Sequence, residues 1–321
     1  MVPVNVERII EDVDRRVQRL EADAVRQLRT ATNDAYRRLA ADVRRRWPAA
    51  LEDARAAGTS TFAEARARVL LEQLRASKDA LEGATARGIT TGLQESLVNA
   101  RQAGFDAATA LLTAYDVPGL TATATAAIDF DAVQAQVLNS SARLAKHSQA
   151  AIQQIDDAVV DALVQGQGSQ RITRRIREVI RGDGRTPDGG LAARAETIAR
   201  TEIATAKSEA ARDRYKEVGV EFIQWYATVD ERTCPWCGYR HGNVYAIDDV
   251  TVPAHPRCRC YAAPFRREFT EAGLADVDTW REQQNEIQGR LPEVKRGATP
   301  FEKAQGKPYP KIQWSPTSGW L

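Results

Sequence analysis

The chain has 321 residues, enough for about two domains that each bury an ordinary core. It is 43% apolar and 27% charged but only 7% aromatic, the composition of an alanine- and arginine-rich helical protein. Its 45 basic and 43 acidic residues leave a net charge of +2. That excludes a strong overall field for nucleic acid or anionic lipid, so nonspecific DNA binding is not predicted.

The first residues, MVPVNVERII, lack the basic and apolar segments of a signal peptide, and nothing later approaches the roughly 20 apolar residues of a membrane span. The expectation is a chain made and folded in a cytoplasm. Four cysteines confined to one short window then read as metal ligands before disulfides.

Apolar residues at three- and four-residue spacing (Ile10, Val13, Val17, Leu20, Ala24, Leu28, Leu39, Val43) predict one amphipathic helix over 6–47. Its other positions, among them Glu7, Glu11, Asp14, Arg15 and Arg19, read as a solvated face of alternating sign. Trp47-Pro48 predicts a break, because the residue before proline disfavours the helical conformation. Two or three antiparallel helices follow over 48–115, with stripes Phe62, Val69, Leu70, Leu74, Leu81 and Leu93, Leu97, Ala100, Phe105. An alanine- and threonine-rich linker is expected at 116–127.

The next helix, 131–164, has Val133, Val137, Leu138, Leu144, Ile152, Ile155, Val159 and Leu163 on its core side, and its lone His147 reads as a helix residue, not a ligand. Ser169 is positioned to cap a basic helix at 170–181. Its five arginines suit a solvated face, with phosphate or an acidic partner as the alternative. Residues 181–190, with four glycines and a proline, predict a flexible joint.

Beyond the joint, 191–218 returns to helix and carries Arg200-Thr201-Glu202, with Gly219 as a left-handed cap. VEFIQWYATV at 220–229 is the one strong strand, and 244–247 and 261–265 are candidates to pair with it. A further helix is expected after residue 267, and the tail from 290 combines prolines with Phe301, Tyr309, Trp314 and Trp320, suiting a segment that wraps along its own domain or a partner. The fold class is therefore mainly α, with long N-terminal helices and a small α+β C-terminal domain whose sheet zinc stabilises. The expected division is a helical region at 1–180, the joint at 181–190, a zinc-held domain at 191–288 and an extended tail at 289–321.

The chemistry lies between residues 230 and 260. Cys234-Pro235-Trp236-Cys237 has the two-residue spacing of a chelating turn, and His255, Cys258 and Cys260 follow twenty residues later. Soft thiolates with imidazole point to tetrahedral zinc. The second half departs from a standard ribbon, so four ligands are drawn from five candidates, with Cys258 or Cys260 left behind the metal. A disulfide, an iron–sulfur cluster and redox chemistry at Cys-Pro-Trp-Cys remain alternatives; the last should open a helix within a βαβ unit. Arg200, Glu202, Asp230 and Arg232 are candidates for a structural charge network behind the metal loop. With zinc-bound water, Glu202 or Asp230 would instead be a general base, which needs an open metal position.

Ala199-Arg200-Thr201-Glu202, a tryptophan-containing strand ending at Asp230, Arg232-Thr233-Cys234 with Cys237, His241-Gly242, and Pro253-Ala254-His255-Pro256-Arg257-Cys258-Arg259-Cys260 together resemble the Mu F-like minor head proteins of tailed phages. The resemblance covers about 191–265, with a single alanine between Pro253 and His255 where relatives often show a second proline. It implies a non-enzymatic virion protein, assembled in the host cytoplasm and placed in the head interior or at the portal vertex. Its implied partners are the portal protein, the major capsid protein or both, with packaged DNA a further candidate and neither membrane nor small-molecule substrate. The alternatives are a metal-dependent hydrolase or nuclease packaged in the virion and, from 171–181, an internal DNA-organising protein.

Overall fold

A computed structural model describes residues 6–115, 128–182, 189–228, 233–265, 311–315 and 319–320. The expected linker at 116–127, residues 183–188 of the expected joint, the helix after 267, most of the tail, and Asp230 and Arg232 lie outside the described residues. The protein is mainly helical with a small antiparallel sheet near its C-terminus.

Helix α1, Val6–Ala57, runs straight through Pro48 and overrides the expected break. Proline in a helix interior loses a backbone bond and costs about 3 kcal/mol. The adjoining turn is anchored from outside: Trp47 is buried and its indole N–H donates to the Gln167 carbonyl at 2.8 Å, and Ala50 and Ala54 are buried beyond it. Helix α2, Ser60–Gln73, is capped by the Thr59 hydroxyl, and Leu74 alone separates it from α3, Arg75–Ala114. Leu70, Leu74, Leu81, Leu93, Leu97 and Ala100 are core as expected. Phe62 and Val69 are not; both are about half exposed.

Helix α4 is Phe130–Val164, with its core side as expected except for exposed Leu138 and half-buried Ile152. Helix α5 is Ser169–Arg181. Gly168 precedes it without a side-chain cap, so Ser169 is the first helical residue, and its carbonyl accepts from the Thr173 hydroxyl at 2.7 Å. Helix α6 is Leu191–Glu217, and Gly219 beyond it has the expected positive φ, 70°. At the joint, a Cβ built on Gly190 would lie 2.2 Å from the Gly182 nitrogen, so the backbones at its two ends touch.

Strand β1, Phe222–Tyr226, is flanked by β2, Val244–Ala246, and β3, Tyr261–Phe265; the short helix α7, Pro235–Arg240, lies between β1 and β2 in sequence. Two strands from the tail, β4 (Ile312–Ser315) and β5 (Gly319–Trp320), complete the order β3-β1-β2-β4-β5. All pairings are antiparallel: Phe222 faces Phe265 and Ala246, Tyr226 faces Tyr261, and Val244 faces Trp314. The described tail strands thus add to the chain's own sheet.

The chain divides into two compact units. One comprises 1–21, 96–130 and 200–321; the other comprises 22–95 and 131–199. In the first, Trp225, Tyr245, Tyr215 and Tyr261 are fully buried, and the Tyr215 hydroxyl sits 3.2 Å from both the Tyr261 hydroxyl and the Ala262 carbonyl. Helices α3 and α6 approach backbone to backbone here, since a Cβ on Gly104 would lie 2.0 Å from the Lys207 carbonyl oxygen.

Candidate metal centre

The site begins with a helix start. Pro235 occupies the first turn of α7, where its missing N–H costs nothing, and Cys234 caps that turn, its sulfur accepting from the Cys237 amide at 3.4 Å. The cap brings Cys234 and Cys237 to one side, with Cys237 buried. The second half comes from the loop before β3. There the Cys258 amide donates to the His255 carbonyl at 3.1 Å, and Arg257 between them has φ 60°.

These two segments place Cys234, Cys237 and His255 in one group, and Cys237, Cys258 and Cys260 in another, with the donor atoms of each within 4.8 Å of one another. His255 Nε2 is 3.1 Å from the Cys234 sulfur and 3.1 Å from the Cys237 sulfur, and the Cys237 and Cys258 sulfurs are 3.8 Å apart. On the far side of the ring, Nδ1 lies 2.8 Å from the Pro256 carbonyl. A carbonyl only accepts, so Nδ1 carries a proton, and Nε2 is the nitrogen turned to the sulfurs, the orientation a metal ligand requires once Nε2 gives up its own proton.

A tetrahedral zinc with bonds of about 2.3 Å to sulfur and about 2.0 Å to nitrogen sets sulfurs about 3.8 Å apart and sulfur and nitrogen about 3.5 Å apart. The sulfur pair already meets that spacing, and the imidazole needs to retreat by only about 0.4 Å. These three spacings therefore suit donors around a tetrahedral ion.

Electrostatics point the same way. Contact with the Cys237 thiol is the chief cause that lowers Cys234, to about 4, with burial opposing and the His255 ring assisting. Cys258 is likewise held well below the usual thiol range by Cys237 and Cys260. Cys237 is pushed up by sharing its proton with Cys234, and burial pushes Cys260 well up. Burial is the largest influence on His255 and works to lower it, but the Cys234 and Cys258 sulfurs prevail and raise it to about 11. Adjacent thiolates cannot all ionise by themselves; a divalent cation is what lets them do so together.

Of the expected charge network, Arg200 and Glu202 both lie on α6. Arg200 faces the mostly buried Glu21, whose carboxyl burial raises, and Glu202 is buried near Glu209. The residue between them makes a direct link to the metal loop: the Thr201 hydroxyl accepts the Arg257 amide at 3.3 Å. Sequence spacing gave no sign of that hydroxyl's role.

Asp14 was also misread, as a solvated helix residue. Its carboxylate lies 3.4 Å from the ammonium of Lys207, which is 2% exposed and sits 5.1 Å from the Tyr261 ring centre. The Thr228 hydroxyl, 3.5 Å from Asp14, donates to the Arg259 carbonyl at 3.0 Å, inside the cysteine loop. His241 has a different place from the ligands. Burial lowers it to about 4, so it is neutral, and its Nδ1 accepts the Ala227 amide at 3.0 Å, joining the end of β1 to the end of α7. His147 is half-buried on α4, 3.4 Å from an Arg194 nitrogen.

The molecule so defined is a mainly helical protein with a small antiparallel sheet and a cysteine–histidine cluster that could bind a metal. Residues 153–263 match the family described as Phage Mu protein F like protein, which supports the chain's place among Mu F-like phage head morphogenesis proteins. The match takes in the whole cluster and begins within α4, well before residue 191, where the resemblance first became legible. No curated protein and no solved structure matches the chain. Among the described residues no helix is long and apolar enough to cross a membrane.

Proposed function

We propose that this protein is a minor head protein of a tailed phage or phage-like particle, located at the portal vertex or head interior, where it contributes structure and not catalysis. Portal and major capsid proteins are its partners in this reading. The observation that carries it is the cysteine–histidine cluster inside the segment that matches the family, where Cys234, Cys237 and His255 form one group and Cys237, Cys258 and Cys260 another; the ligands in this reading are Cys234, Cys237, His255 and Cys258. In this assignment the four residues hold zinc and Cys260, buried at the start of β3, lies behind them. A site with four protein ligands leaves no position for a reacting water, so the metal folds the domain.

The test is metal content and stability of the purified chain. One zinc per chain is expected, lost in Cys234→Ser and Cys258→Ser together with a large drop in melting temperature, and retained in Cys260→Ala. Zinc retained by both serine variants would defeat the ligand assignment. A Glu202→Gln variant that keeps its fold and zinc but loses a hydrolytic activity of the wild type would establish the enzyme reading instead. Mass spectrometry of particles tests the location; absence from both virions and procapsids would rule it out.

A further inference from the structure

Helix α5 has two unlike sides. Ile172, Ile176 and Ile180 are fully buried, while Arg171, Arg174 and Arg177 are exposed. Three-residue steps advance about 4.5 Å along a helix and keep successive side chains on neighbouring turns. These three arginines, with Gln170, line one open groove together with Tyr36 and Arg44 of α1, all within the same compact unit.

What sets the groove apart is its uncommitted charge. Elsewhere on α1, Arg15, Arg26, Arg37 and Arg45 each pair with an acid three or four positions earlier. On α5, Arg175 pairs with Asp161, on the side away from the groove lining. Among the described residues, Arg171, Arg174 and Arg177 have no acidic partner, Arg44 bonds only to the Ala40 carbonyl, and no carboxylate lines the groove. A net charge of only +2 conceals this local concentration.

We infer that the groove binds the phosphate backbone of double-stranded DNA, without reading sequence. Guanidinium forks suit phosphate and carboxylate alike, so the choice rests on what else the groove offers. A protein partner is held chiefly by apolar and aromatic anchors, but the isoleucines of α5 are turned inward. The one aromatic ring, Tyr36, is covered by the Arg181 guanidinium at 5.1 Å. The same cover removes the stacking platform a single strand uses. A polar, strongly basic strip is what remains, and that is the character of a duplex interface. The inference stands on α1 and α5 alone and is independent of the metal centre and of the head-protein reading.

The test is fluorescence anisotropy of the full-length protein with a random-sequence DNA duplex, from 50 to 200 mM salt. Each neutralised phosphate contributes about −0.9 to the slope of log K against log salt, so four arginines give a slope of roughly −3.6. The triple variant Arg171→Gln, Arg174→Gln, Arg177→Gln is expected to lose about 2.7 of that slope and to bind roughly tenfold or more weakly at 50 mM salt. A control carrying Arg15→Gln, Arg26→Gln and Arg37→Gln is expected to match the wild type. Should the triple variant lose its fold, as read by circular dichroism, the three single substitutions carry the test at about 0.9 each. Failure of the wild type to bind duplex at 50 mM salt, or an unchanged slope in the variants, overturns the inference. Tighter binding to polyglutamate than to duplex of equal charge also overturns it and assigns the groove to an acidic protein; tighter binding to single strands overturns the duplex.

Discussion

At the scale of single residues, the unit holding the metal centre is also built on buried charge. Glu21 is mostly buried, and around it stand Arg200, Lys207 and Arg259 with Asp14 of like sign. Burial is the largest influence and raises its carboxyl above the ordinary value of 4.5, the three cations only partly offsetting it. A carboxyl raised on folding contributes stability that is complete below its unfolded value and disappears as pH climbs through its folded value. Glu21→Gln has no such group to ionise. The variant is therefore expected to gain stability relative to wild type as pH rises from about 4.5 upward, read as a growing difference in urea midpoint; a difference independent of pH would contradict the assignment. The ligands were legible in sequence because cysteine and histidine announce themselves by type and spacing. Asp14 was not, because a partner 193 positions away, Lys207, decides whether an aspartate on a helix is solvated or buried.

Among elements, the closest approach is between α3 and α6. Gly104→Ala would place a methyl group 2.0 Å from the Lys207 carbonyl oxygen, and neither neighbour is a side chain that can turn away. The helices must separate instead, and overpacking of this kind costs about 1–3 kcal/mol or more. A melting temperature lowered by several degrees is expected, with Gly92→Ala much milder because it meets the movable end of Gln27; equal effects would show that the two contacts are not distinct. Helix existence and most core faces were legible from periodicity. The exceptions share a cause: Pro48 was kept helical by the burial of Trp47, and Phe62, Val69 and Leu138 are apolar positions that no neighbour within their unit covers. Local pattern proposes an element, and packing decides its limits.

For the whole molecule, the sheet joins residues far apart in sequence. Strand β4 pairs with β2, so Val244 and Tyr245 depend on a segment near the C-terminus. Deleting residues 311–321 leaves β2 as an edge while β1 keeps both its partners. Faster amide exchange in β2, with β1 and β3 still protected, is the expected result; loss of protection across the whole sheet would mean that the tail strands hold it together. These strands were the least legible part of the fold, since β4 and β5 are four and two residues long and carry no alternation that marks them as strands. The contact between Gly182 and Gly190 has another consequence. The chain leaves α5 and comes back for α6 at nearly the same point, so the two helices do not fix how many residues join them. Doubling a loop costs only about 0.6 kcal/mol in closure entropy, which makes this position a port where a tag or small folded domain can be spliced in, leaving the cysteine clasp and the arginine groove as they are.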